Sequence, residues 1–203
     1  HQYNKNANLI AYGGDHTNNK FLTKELQSTY PFLSKAYAFK VCRIEPENGV
    51  HLILESFSEG CMLNVVIIGN WNNSAYGKQL KSQFDSFENI YLLDSIYDQT
   101  ILNQLRSNCY FYIHGHSAGG TNPSLVEAMW LGLPIIAYDI NYNIETTENK
   151  GRYFSNKIDL INQLKSLNKT EISIMGVEMK NIAKERYTWS RISVKYARLF
   201  SEF

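Results

Sequence analysis

The chain has 203 residues, 44% of them apolar and 19% charged, with a formal net charge of +1. That balance suits one packed domain and excludes a disordered chain. It gives no electrostatic case for nucleic acid or an anionic membrane as partner, and no run approaches the ~18 apolar residues of a membrane-crossing helix.

In chain order, "NLIAYG" (8–13) reads as a strand running into the turn Gly13-Gly14, and "YAFKVCR" (37–43) as a second strand. "NGVHLILESFSEG" (48–60) carries Val50, Ile53, Leu54 and Phe57 at helical spacing, with Gly60 as its stop. "LNVVIIGN" (63–70) is a strand of the fully buried kind. Helix (74–87), strand (90–95), helix (98–108) and strand (109–116) follow, then the helix "NPSLVEAMWLG" (122–132) and the strand "PIIAYDI" (134–140). A short strand (151–156) and three helical runs (157–168, 171–186 and 189–202) complete the chain. Strands separated by helices of ~10–15 residues indicate βαβ units. The fold class expected is α/β: a Rossmann-like, doubly wound parallel sheet with helices on both faces, in one domain.

In such folds ligands lie beyond the carboxyl ends of the strands. Arg43, Asp94, Ser95, His114 and His116 fall there. The loop "HGHSAGG" then enters a helix with Asn122 as N-cap and Pro123 in its first position. Gly119 and Gly120 allow close backbone approach or positive φ. The first turn of that helix is expected to present bare N–H groups and a positive dipole end, a seat for a diphosphate. Glu127, one turn in, can reach the same crevice and accept a ribose diol. Ser124-x-x-Glu127 equally matches a capping box, with Glu127 tying down the helix start, and the local sequence leaves both readings open. Arg43 can bind an anion or pair with Glu45 or Glu47. His114 and His116 lack a third ligand nearby, so no metal site is expected. Cys42, Cys61 and Cys109 show no metal or redox spacing and read as reduced thiols of a cytosolic protein. There is no GxGxxG or GxxxxGK[ST] motif to support NAD or ATP.

"RIEPENGVHLILESF", followed about seventy residues later by "HGHSAGGTNPSLVEAMWLGLPIIAYD", resembles the C-terminal half of retaining glycosyltransferases of family 4, which have the GT-B fold. The likeness is nearest to bacterial rhamnosyltransferase-like enzymes of O-antigen and capsule assembly. "IAYGGDH" is similar to their passage between domains, and "ERYTWSRISVKYARLF" to their closing helix. The chain opens on His rather than Met, and the expectation is a C-terminal donor-binding domain. Residues 1–16 would be the interdomain segment and 189–203 the closing helix, with the acceptor domain preceding them.

The resemblance makes Glu127 the second glutamate of an E-x7-E motif, the ribose ligand, and Arg43 the arginine facing the donor diphosphate. Asn48 stands where the family has a lysine, and Gly119 where it has the first glutamate. Diphosphate contacts are therefore expected from Arg43, Asn48, Gly120, Thr121, Asn122 and Ser124. Sugar contacts are expected from His116 and Gly119, and base contacts near Ser95 and Ile96. The resemblance further implies retention, no cofactor and no required metal. The substrate would be a UDP- or dTDP-sugar, and the acceptor a glycan or polyprenyl-linked glycan. The site would be cytoplasmic, at most peripheral to the inner membrane face. Two alternatives stay open: a nucleotide-sugar 2-epimerase, and a non-catalytic nucleotide-binding module.

Overall fold

The computed structural model describes residues 8–59 and 63–201. The elements are α1 (Lys24–Thr29), β1 (Tyr37–Val41), α2 (Val50–Ser58), β2 (Asn64–Ile68), α3 (Ala75–Phe84), β3 (Ile90–Leu93), α4 (Gln99–Ser107) and β4 (Phe111–His114). They continue with α5 (Pro123–Trp130), β5 (Ile135–Tyr138), α6 (Asn141–Thr146), β6 (Arg152–Phe154), α7 (Lys157–Ser166), α8 (Lys169–Arg186) and α9 (Trp189–Ser201).

The six strands form one parallel sheet in the order β3-β2-β1-β4-β5-β6. The chain winds outward from β1 to β3, then crosses back to β4 beside β1 and winds the other way. Connections leave β1 and β4 toward opposite faces, so a crevice opens at their carboxyl ends. That switch point positions the candidate site.

Burial alternates with the pleat. Phe39, Val66, Ile68 and Tyr112 face a core shared with Leu102 and Leu105 of α4, Val126 and Met129 of α5, and Met179 of α8. Ala38, Val65, Ile67 and Ile113 face the other core, with Ile53 and Leu54 of α2, Leu80 of α3 and Leu160 of α7. Each such aliphatic side chain contributes about 1.5–3 kcal/mol on burial, so both faces of β2 must be covered. The helices begin where a short polar side chain can accept from the first turn: Ser74 for α3, Asp98 for α4, Asn122 for α5 and Asn168 for α8.

The expected strand at 8–13 is not formed. The segment is irregular, with Leu9 and Tyr12 exposed, and it pairs with none of the six strands. It crosses the end of α8 instead, where Gly14 N donates to Tyr187 O at 2.8 Å. The helices α1 and α6, six residues each, are too short to show a period in the sequence. Residues 1–7 of the expected interdomain segment, Gly60, Cys61 and the last two residues of the expected closing helix lie outside the described residues. Cys109 is buried and Cys42 half-buried, and both are free thiols.

Candidate functional site

Two loops meet at the switch point. The first leaves β1 through an exposed Arg43, makes a 3-10 turn at Pro46–Asn48 and enters α2 through Gly49 at φ 59°. The second leaves β4 through Gly115 and His116. The two are laced together. Ser117 N and Oγ both donate to Glu47 O, at 2.8 and 3.1 Å. Asn48 Nδ2 donates to Arg43 O at 2.9 Å, and its Oδ1 accepts from His116 Nδ1 at 3.0 Å. A Cβ on Gly49 would stand 2.5 Å from Gly115 O, so only glycine fits that crossing. Asn48 is thus brought to the site, but its amide is committed to holding the loops rather than turned to the crevice. Among the described residues Arg43 has no ion-pair partner, so the expected alternative of pairing with Glu45 or Glu47 is not realised.

The start of α5 departs from expectation. Asn122 Oδ1 accepts from Ser124 N at 3.0 Å and from Ser124 Oγ at 2.8 Å, while Tyr112 OH donates to Ser124 Oγ at 2.9 Å. Leu125 N and Val126 N both donate to Asn122 O. Pro123 has no N–H. The first turn of the helix is therefore not bare. Its donors are taken by the chain itself, because Asn122 is as good a cap as its type suggests. The unpaired donors lie one step earlier. The N–H groups of Gly119, Gly120 and Thr121 find no acceptor among the described residues. Gly119 is at φ +84°, and a Cβ on Gly120 would meet nothing within 4 Å. The positive end of α5 lies just beyond these amides.

Glu127 does not close a capping box; Asn122, not Ser124, is the cap. Its carboxylate has two partners from distant parts of the chain. Arg106 Nη1 of α4 lies 2.7 Å from Oε2, and His16 Nε2 lies 3.0 Å from Oε1. Arg106 is 2% exposed and the Glu127 side chain 18%. The guanidinium contact is ionic without good hydrogen-bond alignment, and Arg106 Nε has no partner among the described residues. Neither partner was expected from the sequence. For Arg106 the signal available was its place four residues after Leu102 on the buried face of α4. For His16, in irregular chain, there was none.

Ser95 and Ile96 follow β3 at the same end of the sheet, half-buried, with Ile96 packed on the α4–α5 core. His114, on the last residue of β4, is 1% exposed and both its ring nitrogens lack partners among the described residues. Burial, then Lys40 and His116, hold its pKa well below the usual 6.5. His116 is lowered in the same direction, chiefly by burial. The two rings lie 6.0 Å apart, and no group of three His, Cys, Asp or Glu among the described residues has metal-binding spacing. A cavity of about 760 Å³ opens from Gly120 and Thr121 toward Tyr142 of α6 and Arg191, Val194 and Lys195 of α9.

A doubly wound parallel sheet with its switch point between β1 and β4 defines an α/β domain of the Rossmann-like class. The chain belongs to the glycosyl transferases group 1 family, whose model matches residues 23–185. Comparison with curated protein sequences finds no significant relative. Among solved structures, Anabaena Alr3699/HepE in complex with UDP superposes with a TM-score of 0.75 at 17% identity, over 88% of this chain and 52% of that one. A glycosyltransferase from Rickettsia africae ESF-5 gives 0.78 at 14% identity, over 95% and 55%. The C-terminal domain of LpcC, a glycosyl transferase group 1 family protein from Francisella tularensis, gives 0.64 at 15% identity, over 83% and 96%. The chain spans about half the length of the first two structures. Its fold is that of one half of a GT-B glycosyltransferase. Among the described residues no helix is long and apolar enough to cross a membrane.

Proposed function

We propose that this chain is the donor-binding half of a retaining glycosyltransferase. It would move a hexose or deoxyhexose from a UDP- or dTDP-sugar to a glycan or polyprenyl-linked acceptor, in bacterial surface-polysaccharide synthesis. The observation that carries the reading is the laced pair of loops at the switch point: one carries the Arg43 guanidinium and the other the N–H groups of Gly119, Gly120 and Thr121, and none of these has a partner among the described residues.

In this reading the N–H groups of Gly119, Gly120 and Thr121, with Arg43, hold the donor diphosphate. Asn48, Asn122 and Ser124 fix the loops that aim them. Glu127 accepts the ribose hydroxyls. A carboxylate has about four lone-pair sites; His16 uses one and the ionic contact with Arg106 crowds another, which leaves two for a diol. Backbone near Ser95 and Ile96 meets the base, and His116 and Gly119 meet the sugar. The bond from the anomeric carbon to the diphosphate breaks with its electron pair on the diphosphate. The acceptor oxygen bonds to that carbon on the same face, and its proton passes to the leaving diphosphate. Groups already aimed at the growing negative charge favour the transition state over the ground state.

The acceptor site would lie on a preceding domain, so the chain by itself would bind donor without transferring sugar. Thermal unfolding with UDP, dTDP and GDP tests the binding half. A ligand at about 100 times its Kd stabilises the native state by ~2.7 kcal/mol. A raised midpoint with UDP or dTDP is expected, and no shift with any of the three discards the reading.

A further inference from the structure

Glu127 is tied to the beginning of the C-terminal helix through one histidine. Trp189 Nε1, on the first residue of α9, lies 3.1 Å from His16 Nδ1. An indole N–H can only donate, so Nδ1 must be the bare nitrogen of the ring. The ring proton of a neutral His16 then sits on Nε2, 3.0 Å from Glu127 Oε1, and is donated to it. The tautomer is set by the tryptophan and used on the carboxylate.

The chain around this contact is built to hold it. Asp15 Oδ1 accepts from Trp189 N at 2.8 Å, which fixes the start of α9 to the residue before His16. Thr17, 2% exposed, donates from Oγ1 to Gly14 O at 2.7 Å and closes the turn that carries His16. A Cβ on Gly13 would stand 2.6 Å from the Trp189 ring, so the segment lies flat against it. On the other side, Arg106 holds Oε2 of the same carboxylate. The carboxylate is thus clamped from two directions, with one acceptor position left on each oxygen.

We propose that His16 is a positioning residue for the donor site. Trp189 locks it as the Nε2–H tautomer, it orients the Glu127 carboxylate toward the ribose hydroxyls, and it links occupancy of that site to the junction between residues 13–17 and α9. The proposal rests on the reading of Glu127 as ribose ligand. It adds that the junction belongs to the binding machinery and senses the nucleotide.

Calorimetry on the 203-residue chain with UDP, dTDP and GDP identifies the nucleotide that binds, and the same titration is repeated on His16→Phe, His16→Gln and Trp189→Phe. Phe removes both ring nitrogens, whereas Gln retains an amide donor for Glu127 and a carbonyl acceptor for Trp189. Affinity is expected to fall at least fivefold in His16→Phe and Trp189→Phe and to return within twofold of wild type in His16→Gln. Nitrogen-15 spectra of the wild type supply a readout independent of mutant folding. They are expected to show His16 with a bare Nδ1 and a protonated Nε2. The Trp189 indole resonance, assigned by its loss in Trp189→Phe, should move on saturation with nucleotide. Wild-type affinity in a folded His16→Phe, or an unmoved Trp189 indole at saturation, overturns the positioning role and leaves Glu127 as ribose ligand intact. No binding of any nucleotide by the wild type overturns both.

Discussion

Glu127 and Arg106 form an ion pair across α5 and α4, Oε2 to Nη1 2.7 Å, with the guanidinium 2% exposed. The carboxylate therefore has a structural duty beside the ribose role proposed for it, and the two can be separated by mutation.

Glu127→Ala strands a buried cation, so it is expected to cost about 3 kcal/mol, measured as the shift in urea midpoint. Loss of nucleotide binding in that variant would not distinguish the two duties. In the double variant Arg106→Met with Glu127→Leu the buried charges leave together. Most of the stability is expected to return, because apolar replacement of a buried pair is often neutral, while nucleotide binding stays absent.

Arg43 is exposed with no ion-pair partner among the described residues, and Gly120 has open space where a Cβ would go. Arg43→Ala and Gly120→Ala are each expected to change stability by no more than ~0.5–1 kcal/mol in denaturant titrations. Each should weaken nucleotide-diphosphate binding at least tenfold by calorimetry. Unchanged affinity in both would remove the diphosphate from this loop.

Gly49→Ala should behave oppositely. At φ 59° and with Gly115 O 2.5 Å from the added methyl, it forces the two loops apart. A loss of about 2–4 kcal/mol is expected, from a strained left-handed residue plus a backbone clash. Nucleotide affinity should fall with it, since the crossing holds together the loop that carries Arg43 and the loop that carries the 119–121 amides.

Acid should destabilise the fold through His114. Burial, Lys40 and His116 hold its folded-state pKa well below the 6.5 of an ordinary imidazole. Below pH 6.5 the unfolded chain takes up a proton that the native state refuses, so stability falls as pH drops, by up to about 1.4 kcal/mol per unit for this one site. Above that pH the site adds no dependence. His116, also lowered, acts in the same direction. Denaturant midpoints between pH 4.5 and 8 should show the slope, and His114→Asn should reduce it.

The sheet was legible because its central strands are runs of buried, mostly apolar residues, as in "NVVII", all five of which are buried. Residues 8–13 have the same look, but a strand also needs to run alongside a sheet edge, and where this segment runs, against the end of α8, is a property of the finished fold. The caps were legible one by one, as at Asn122, yet their consequence for the bare-amide seat was read the wrong way. The same short side chain that starts α5 consumes the donors that an anion would use, which moves the free amides back to Gly119, Gly120 and Thr121. Glu127 stood out by its place one turn into a helix after a glycine loop. Its partners Arg106 and His16 lie 21 and 111 positions away in sequence, and no local period joins them. Such pairings are set by how α4 and residues 13–17 pack around α5, which spacing alone does not encode.

The most direct measurement is a crystal structure of the chain with the nucleoside diphosphate that stabilises it. The account predicts diphosphate oxygens at hydrogen-bond distance, about 2.7–3.2 Å, from the N–H groups of Gly119, Gly120 and Thr121, with Arg43 alongside and the ribose hydroxyls on Glu127. A nucleotide seated elsewhere, with those three amides still unpaired and Glu127 touching only Arg106 and His16, would contradict it.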